Sequence, residues 1–264
     1  MRRYRLQFYL LAFGFFLLTT HKSSGQVAGG VHANLLKAYE KGWYEECLFK
    51  AEAMIQKDKY KKDPEPYLYM AMCFYELIRI PQQAEFYKNA LRYSFKQAAK
   101  VRKLDKDSSF YHANVQFYQN LMIWGLEQAE KDIQRKKYRK AATKYGYILK
   151  IDPGNKNALY VKGVYDILAK NVSVGEINIQ SALSDIRSGY SSDSITEPAA
   201  VEAVILYANQ LFEESLADSV RADQLIESAR TILATGTIMF PNSIMLQDGI
   251  VRTNRRIMGS GKVD

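Results

Sequence analysis

The sequence predicts an all-α protein built from stacked helix hairpins. Three observations lead there: a composition poor in strand and turn formers, an apolar ladder recurring at helical spacing, and turn-forming residues at the joints between ladders. Only 15 Gly and 6 Pro occur among 264 residues, and runs of alternating β-branched residues are scarce, a balance that favours helices over sheets. With 47% hydrophobic residues, the chain carries enough apolar material for a continuous buried core.

The ladder has the form apolar, small, bulky, apolar at spacings of 3, 4 and 3. It reads as Tyr44, Cys47, Ala51 and Met54; as Pro81, Ala84, Lys88 and Leu91; and as Tyr138, Ala141, Tyr145 and Ile148. Two further copies are Ile179, Ala182, Ile186 and Gly189, then Ile226, Ala229, Leu233 and Gly236. This spacing puts all four side chains on one helical face, and the small second residue lets a neighbouring helix come close. Each ladder therefore marks the second helix of a hairpin. A non-repetitive helical bundle would also supply such ladders, and it is the turn chemistry that favours hairpins.

In chain order, helices are expected near 31–41, 44–58, 65–78, 81–103, 108–135, 137–151, 156–169, 174–189, 198–216, 220–238 and 243–257. Gly42, between the first two, can take the left-handed conformation that stops a helix. Asp152-Pro153-Gly154-Asn155 closes the third hairpin, because Pro153 cannot continue a helix. Phe240-Pro241-Asn242-Ser243 repeats that logic after the fifth. Ser173 with Glu176 has the form of a capping box, and Thr196-Glu197-Pro198 opens a helix with proline in its first turn. The last helix, with Arg252, Arg255 and Arg256, suits a polar cap on an open stack.

The stretch Lys137-Tyr138-Arg139-Lys140-Ala141, with Tyr145, Ile148 and Asp152-Pro153-Gly154-Asn155, resembles the second helix of the tetratricopeptide repeat family. Asn157-Ala158-Leu159-Tyr160 with Gly163 resembles its first helix. Gly42-Trp43-Tyr44-Glu45-Glu46-Cys47 is a second good match, with Cys47 in the alanine slot. The resemblance extends over 31–257, and its weaker signature positions are Ala84, Ala182, Ala229 and Pro241. It implies a right-handed superhelix, or α-solenoid, of about five helix hairpins plus a C-terminal capping helix. The family period is 34 residues, whereas the small slots at 47, 84, 141, 182 and 229 stand 37, 57, 41 and 47 apart. Longer helices at 81–103 and 108–135 are the expected cause.

Residues 1–25 read as a secretory signal peptide: Arg2, Arg3 and Arg5 precede an apolar run, and Ser23-Ser24-Gly25 supplies small residues for cleavage before Gln26. The run from Leu6 to Thr20 falls short of the roughly 20 apolar residues of a spanning helix, so no stable transmembrane anchor is expected after cleavage. Residues 26–257 then form the repeat domain and 258–264 a flexible tail. Four of the 37 basic residues leave with the signal, so 33 face 28 acidic ones, a balance of +5. That mild excess suits acidic proteins or an anionic envelope polymer, and export argues against nucleic acid. Cys47 and Cys73 are the only cysteines; export permits a disulfide between them, and the small buried slot of Cys47 equally suits a free thiol.

In the resembled family the first helix of each pair lines the concave face. That implies a partner-binding groove of Tyr69, Met72 and Tyr75, of Ile123, Glu127 and Glu130, and of Tyr160, Val161 and Val164. The 19 tyrosines suit peptide contact. Two basic runs, one holding Lys100, Arg102 and Lys103 and the other Arg135, Lys136, Lys137, Arg139 and Lys140, would share an edge if the second and third hairpins stack; a solvated charged face is the plainer reading. No catalytic residue, cofactor or metal site is expected: after the signal only His32 and His112 remain, and no nucleophile, phosphate-loop or metal-ligand spacing occurs. Ser194 and Ser219 stand in Asp-Ser-Ile and Asp-Ser-Val contexts that fit either O-glycosylation or cap chemistry. The reading that results is an exported, non-enzymatic interaction scaffold of the bacterial cell envelope, within a secretion or assembly machine. The alternative is a glycan- or peptidoglycan-binding envelope protein.

Overall fold

The computed structural model describes residues 30–187 and 192–259, and among them every regular element is helical. The helices are α1 (Ala33–Glu40), α2 (Tyr44–Ile55), α3 (Pro64–Leu77), α4 (Pro81–Ala84), α5 (Ala90–Leu104), α6 (Ser109–Ala113), α7 (Val115–Gln134), α8 (Tyr138–Ile151), α9 (Lys156–Leu168), α10 (Val172–Arg187), α11 (Glu197–Ala217), α12 (Ala222–Met239) and α13 (Ile244–Gly259). A 3-10 turn, Asp58–Tyr60, follows α2. The signal-like segment and residues 260–264 of the expected tail lie outside the described residues. No described helix is long and apolar enough to cross a membrane.

Packing follows chain order. Five pairs form, α1 with α2, α3 with α5, α7 with α8, α9 with α10 and α11 with α12; α2 leans on α3, α8 on α9, and α13 on both α11 and α12. Further contacts join α1 to α3, α5 to α7 and to α8, and α9 to α11, and no principal contact brings α1–α3 against α9–α13.

Three of the hairpin joints share one geometry. Gly42, Lys136 and Lys170 all have positive φ, at 72°, 54° and 67°. At each joint the next N–H reaches back five residues: Trp43 to the Ala38 carbonyl at 3.0 Å, Lys137 to Asp132 at 2.8 Å and Asn171 to Asp166 at 2.8 Å. The left-handed residue itself donates three residues back, Gly42 to Tyr39 at 2.9 Å, Lys136 to Ile133 and Lys170 to Ile167 at 2.8 Å. These paired bonds make a Schellman stop, which satisfies carbonyls the helix end would leave open.

The ladders hold with one correction. Cys47, Ala141, Ala182 and Ala229 are fully buried, but Ala84 is not. The expected helix 81–103 is broken: α4 ends at Ala84, turns occupy 85–89, and α5 starts at Ala90. Pro81, Ala84, Lys88 and Leu91 therefore share no helical face. The second ladder instead runs Leu91, Ser94, Ala98 and Val101, with Ser94, Ala98 and Val101 fully buried. A hydroxyl in the small slot hid it, since Ser94 Oγ satisfies itself on the Ala71 carbonyl of α3 at 2.8 Å, as a buried polar group must. Cys47 Sγ makes the corresponding donation to the Leu35 carbonyl of α1 at 3.5 Å. The small slots Cys47, Ser94, Ala141, Ala182 and Ala229 then stand 47, 47, 41 and 47 residues apart. Of the fourth ladder, Gly189 and the Ile186 side chain lie outside the described residues.

Other boundaries move for local reasons. The expected helix 108–135 breaks at Asn114, whose amide turns back to the Phe110 carbonyl at 2.8 Å. Helix α10 begins at Val172, so Ser173 lies inside the first turn and cannot be its N-cap. Thr196 does precede α11, with proline in the first turn. Met258 and Gly259 belong to α13 and not to a tail. That last helix exposes Ile244, Val251 and Met258 beside its arginines, so its outer face is mixed and not the expected polar cap. Pro153 and Pro241 stand exposed in the turns after α8 and α12. Cys47 and Cys73 are buried free thiols.

Candidate functional site

Tyr75 lies in the last turn of α3, and Arg79 stands four residues on, in the turn just past the helix end. The broken segment after it contributes Ala84, Lys88 and Leu91, and one stripe of α7 contributes Asn120, Ile123, Trp124, Glu127, Gln128, Lys131 and Arg135. Together with Asp132 and Lys144 these residues line a hollow of about 810 Å³, within the size range of ligand sites. The break at 85–89 thus displaces Ala84 from the core and opens this groove.

Aromatic packing forms its floor. The Tyr75 ring meets Trp124 edge to face at 5.4 Å and Phe117 at 6.0 Å. Arg79 lies over the Tyr75 ring at 4.8 Å and donates to its hydroxyl at 2.5 Å. Burial pushes the Tyr75 hydroxyl above its ordinary value; the Arg79 guanidinium pulls it back, while Glu76 and Glu127 add to the rise. Lys144 and Asp132 pair at 2.5 Å. Among the described residues Lys131 and Arg135 have no carboxylate within ion-pair distance, so the rim keeps positive charge free for a partner. Its amides, Asn120 and Gln128, and its carboxylates can satisfy both donors and acceptors of a peptide.

The residues expected to form a groove are divided by the structure. Tyr75, Ile123 and Glu127 come together in the hollow. Tyr69, Met72, Tyr160, Val161 and Val164 are buried, which corrects their assignment: α3 packs against α1, α2 and α5, and α9 against α8, α10 and α11, so neither helix keeps a free concave stripe. Glu130 is half-buried and turned elsewhere, accepting from Gln134 at 3.0 Å. Trp124, Arg79 and Asn120 were missed, although Asn120, Trp124, Gln128 and Lys131 recur at helical spacing in the sequence.

The basic edge also divides. Lys100 and Lys103 flank a second hollow with Lys96 and Lys150. Arg102 is structural, donating to the Ile151 carbonyl at 3.1 Å and to Ser108 at 3.3 Å while lying 3.8 Å over Tyr111. Arg135 belongs to the first groove. Lys136, Lys137, Arg139 and Lys140 are exposed around the α7–α8 turn and line neither hollow.

One cluster escaped sequence spacing because His32 lies about thirty residues before its two acidic members. His32, Asp63 and Glu65 bring their ligand-type atoms within 4.8 Å of one another. His32 Nε2 lies 2.5 Å from Asp63 Oδ2. The Glu65 carboxylate accepts the Val31 and His32 backbone N–H groups at 2.7 and 3.0 Å, and Asp63 caps α3 through the Glu65 N–H at 3.0 Å. These bonds fasten the start of α1 to the start of α3.

Compared with known proteins, the chain matches no family model, no curated protein and no solved structure. The groove's chemistry must therefore carry the functional reading.

Proposed function

We propose that this chain is an exported, non-enzymatic scaffold of the cell envelope, an open right-handed superhelix of five tetratricopeptide-like hairpins closed by α13. The groove between its second and third hairpins holds an extended, acidic segment of a partner protein, within a secretion or assembly machine. The observation that carries this reading is the hollow of about 810 Å³ with an aromatic floor, amide-bearing walls and a basic rim. A peptide laid there finds partners for its backbone groups, which burial would otherwise penalise. The chain-order packing and the repeated Schellman joints support the superhelix.

The glycan reading draws on the same rings and is weaker here. Sugar stacking needs an open aromatic face, and Tyr75 already has Arg79 over one face and Trp124 and Phe117 against it. The test is affinity capture from cross-linked envelopes with wild type and with Lys131→Glu/Arg135→Glu. A protein recovered by wild type and lost in the variant is expected. Recovery of no protein above background would overturn the scaffold reading, and saturable binding of muropeptides by wild type would move the function to envelope glycan.

A further inference from the structure

A second hollow, of about 660 Å³, lies where α2, α3, α5 and α8 meet, away from the groove lining. Its wall is apolar, formed by Ile55, Tyr67, Ala99, Leu149 and Pro153. The Tyr67 hydroxyl is committed to the Lys61 carbonyl at 3.3 Å, so the pocket meets the ring and not a free donor. Lys96, Lys100, Lys103 and Lys150 surround this wall, and no carboxylate lines it. Among the described residues none of the four lysines forms an ion pair, and all four are exposed. Lys100 Nζ lies 5.7 Å over the Tyr67 ring, which holds its charge at the mouth of the apolar wall.

We propose that this pocket binds a single-chain anionic amphiphile, with the hydrocarbon tail against the apolar wall and the carboxylate or phosphate head among the lysines. Two features select that class. Four lysines line the pocket with no carboxylate to neutralise them, which favours an anion. Besides the lysines and the committed Tyr67 hydroxyl, Gln97 is the only polar side chain of the lining, so a peptide would find few side-chain partners for its backbone N–H and C=O groups, whereas a hydrocarbon chain has none to satisfy. The size falls within the range of pockets that enclose small molecules. This pocket shares no lining residue with the groove, so its occupancy and the scaffold reading stand or fall separately.

The experiment is calorimetric titration of the full chain, below micelle-forming concentrations, with dodecanoate, dodecyl phosphate, the uncharged glycerol monoester of dodecanoate, inorganic phosphate and an acidic leucine-containing peptide. Saturable binding of both anionic amphiphiles is expected, weakened at least about tenfold by Lys100→Glu/Lys103→Glu and unchanged by Lys136→Glu/Lys140→Glu, which alters net charge equally at exposed positions outside the pocket. The proposal is overturned if neither amphiphile binds, if both double variants bind alike, or if the uncharged ester, inorganic phosphate or the peptide binds as tightly as dodecanoate.

Discussion

A Cβ placed on Gly163 of α9 would come within 2.7 Å of the Gly175 carbonyl oxygen in α10, and one on Gly175 within 2.6 Å of the Gly163 carbonyl oxygen. The two helices therefore meet backbone to backbone, and neither neighbour is a flexible side chain that could swing away. Gly163→Ala should lose about 2 kcal/mol by overpacking, even though alanine is the better helix former by about 1 kcal/mol. Denaturant melts check this; a stabilised Gly163→Ala would show that the helices can separate freely.

The three Schellman joints predict opposite effects for removing a glycine and for introducing one. Gly42→Ala should destabilise by about 1 kcal/mol because the left-handed backbone disfavours a Cβ, while Lys136→Gly or Lys170→Gly should cost little or gain up to about 1 kcal/mol. Thermal melts of the three single variants compare them directly. Equal losses at all three sites would contradict a shared joint geometry.

Relocating the second ladder is testable at Ser94 and Ala84. Ser94→Leu forces a large side chain into a closed contact with α3 and should cost about 3 kcal/mol, adding the loss of the bond to Ala71. Ala84→Leu, facing the open groove, should stay within about 0.5 kcal/mol of wild type. The reverse order would restore the register read from sequence.

Much of this architecture was legible because helical period and turn chemistry are local. Gly42 stops α1 by taking a positive φ of 72°, and Asn155 starts α9 by accepting the Ala158 N–H at 2.8 Å. Ser94 was not legible as a small slot, since its hydroxyl is tolerated only because a carbonyl of another helix faces it. The groove was half-legible for the same reason. Tyr75, Ile123 and Glu127 lie on stripes that periodicity reveals, but whether Tyr69 or Tyr160 faces solvent depends on how many neighbours its helix has. Periodicity assigns faces and cannot tell a helix packed on three sides from one packed on two.

Glu202 of α11 supplies a pH signature. Burial, and then the Glu130 carboxylate of α7, raise its carboxyl above the ordinary value. At neutral pH both folded and unfolded states are ionised and the fold bears the whole penalty, so Glu202→Gln should stabilise by a few tenths of a kcal/mol, the scale of partly exposed like charges. As pH falls through the raised folded value the native state takes up its proton first, and below the unfolded value the advantage of the variant disappears. Urea melts of both proteins from neutral to acidic pH would show this convergence. A gap that widens on acidification would mean that Glu202 is stabilised as a carboxylate.

The central claim is occupancy of the groove by an envelope protein. A photo-cross-linking amino acid at position 123, where Ile123 is 43% exposed on the groove floor, reports on it directly against the same probe at position 220, where Val220 is 94% exposed outside the groove. A discrete protein adduct from position 123, absent from position 220 and abolished by Lys131→Glu/Arg135→Glu, is the predicted result. No adduct at 123, or the same adducts from both positions, would contradict it.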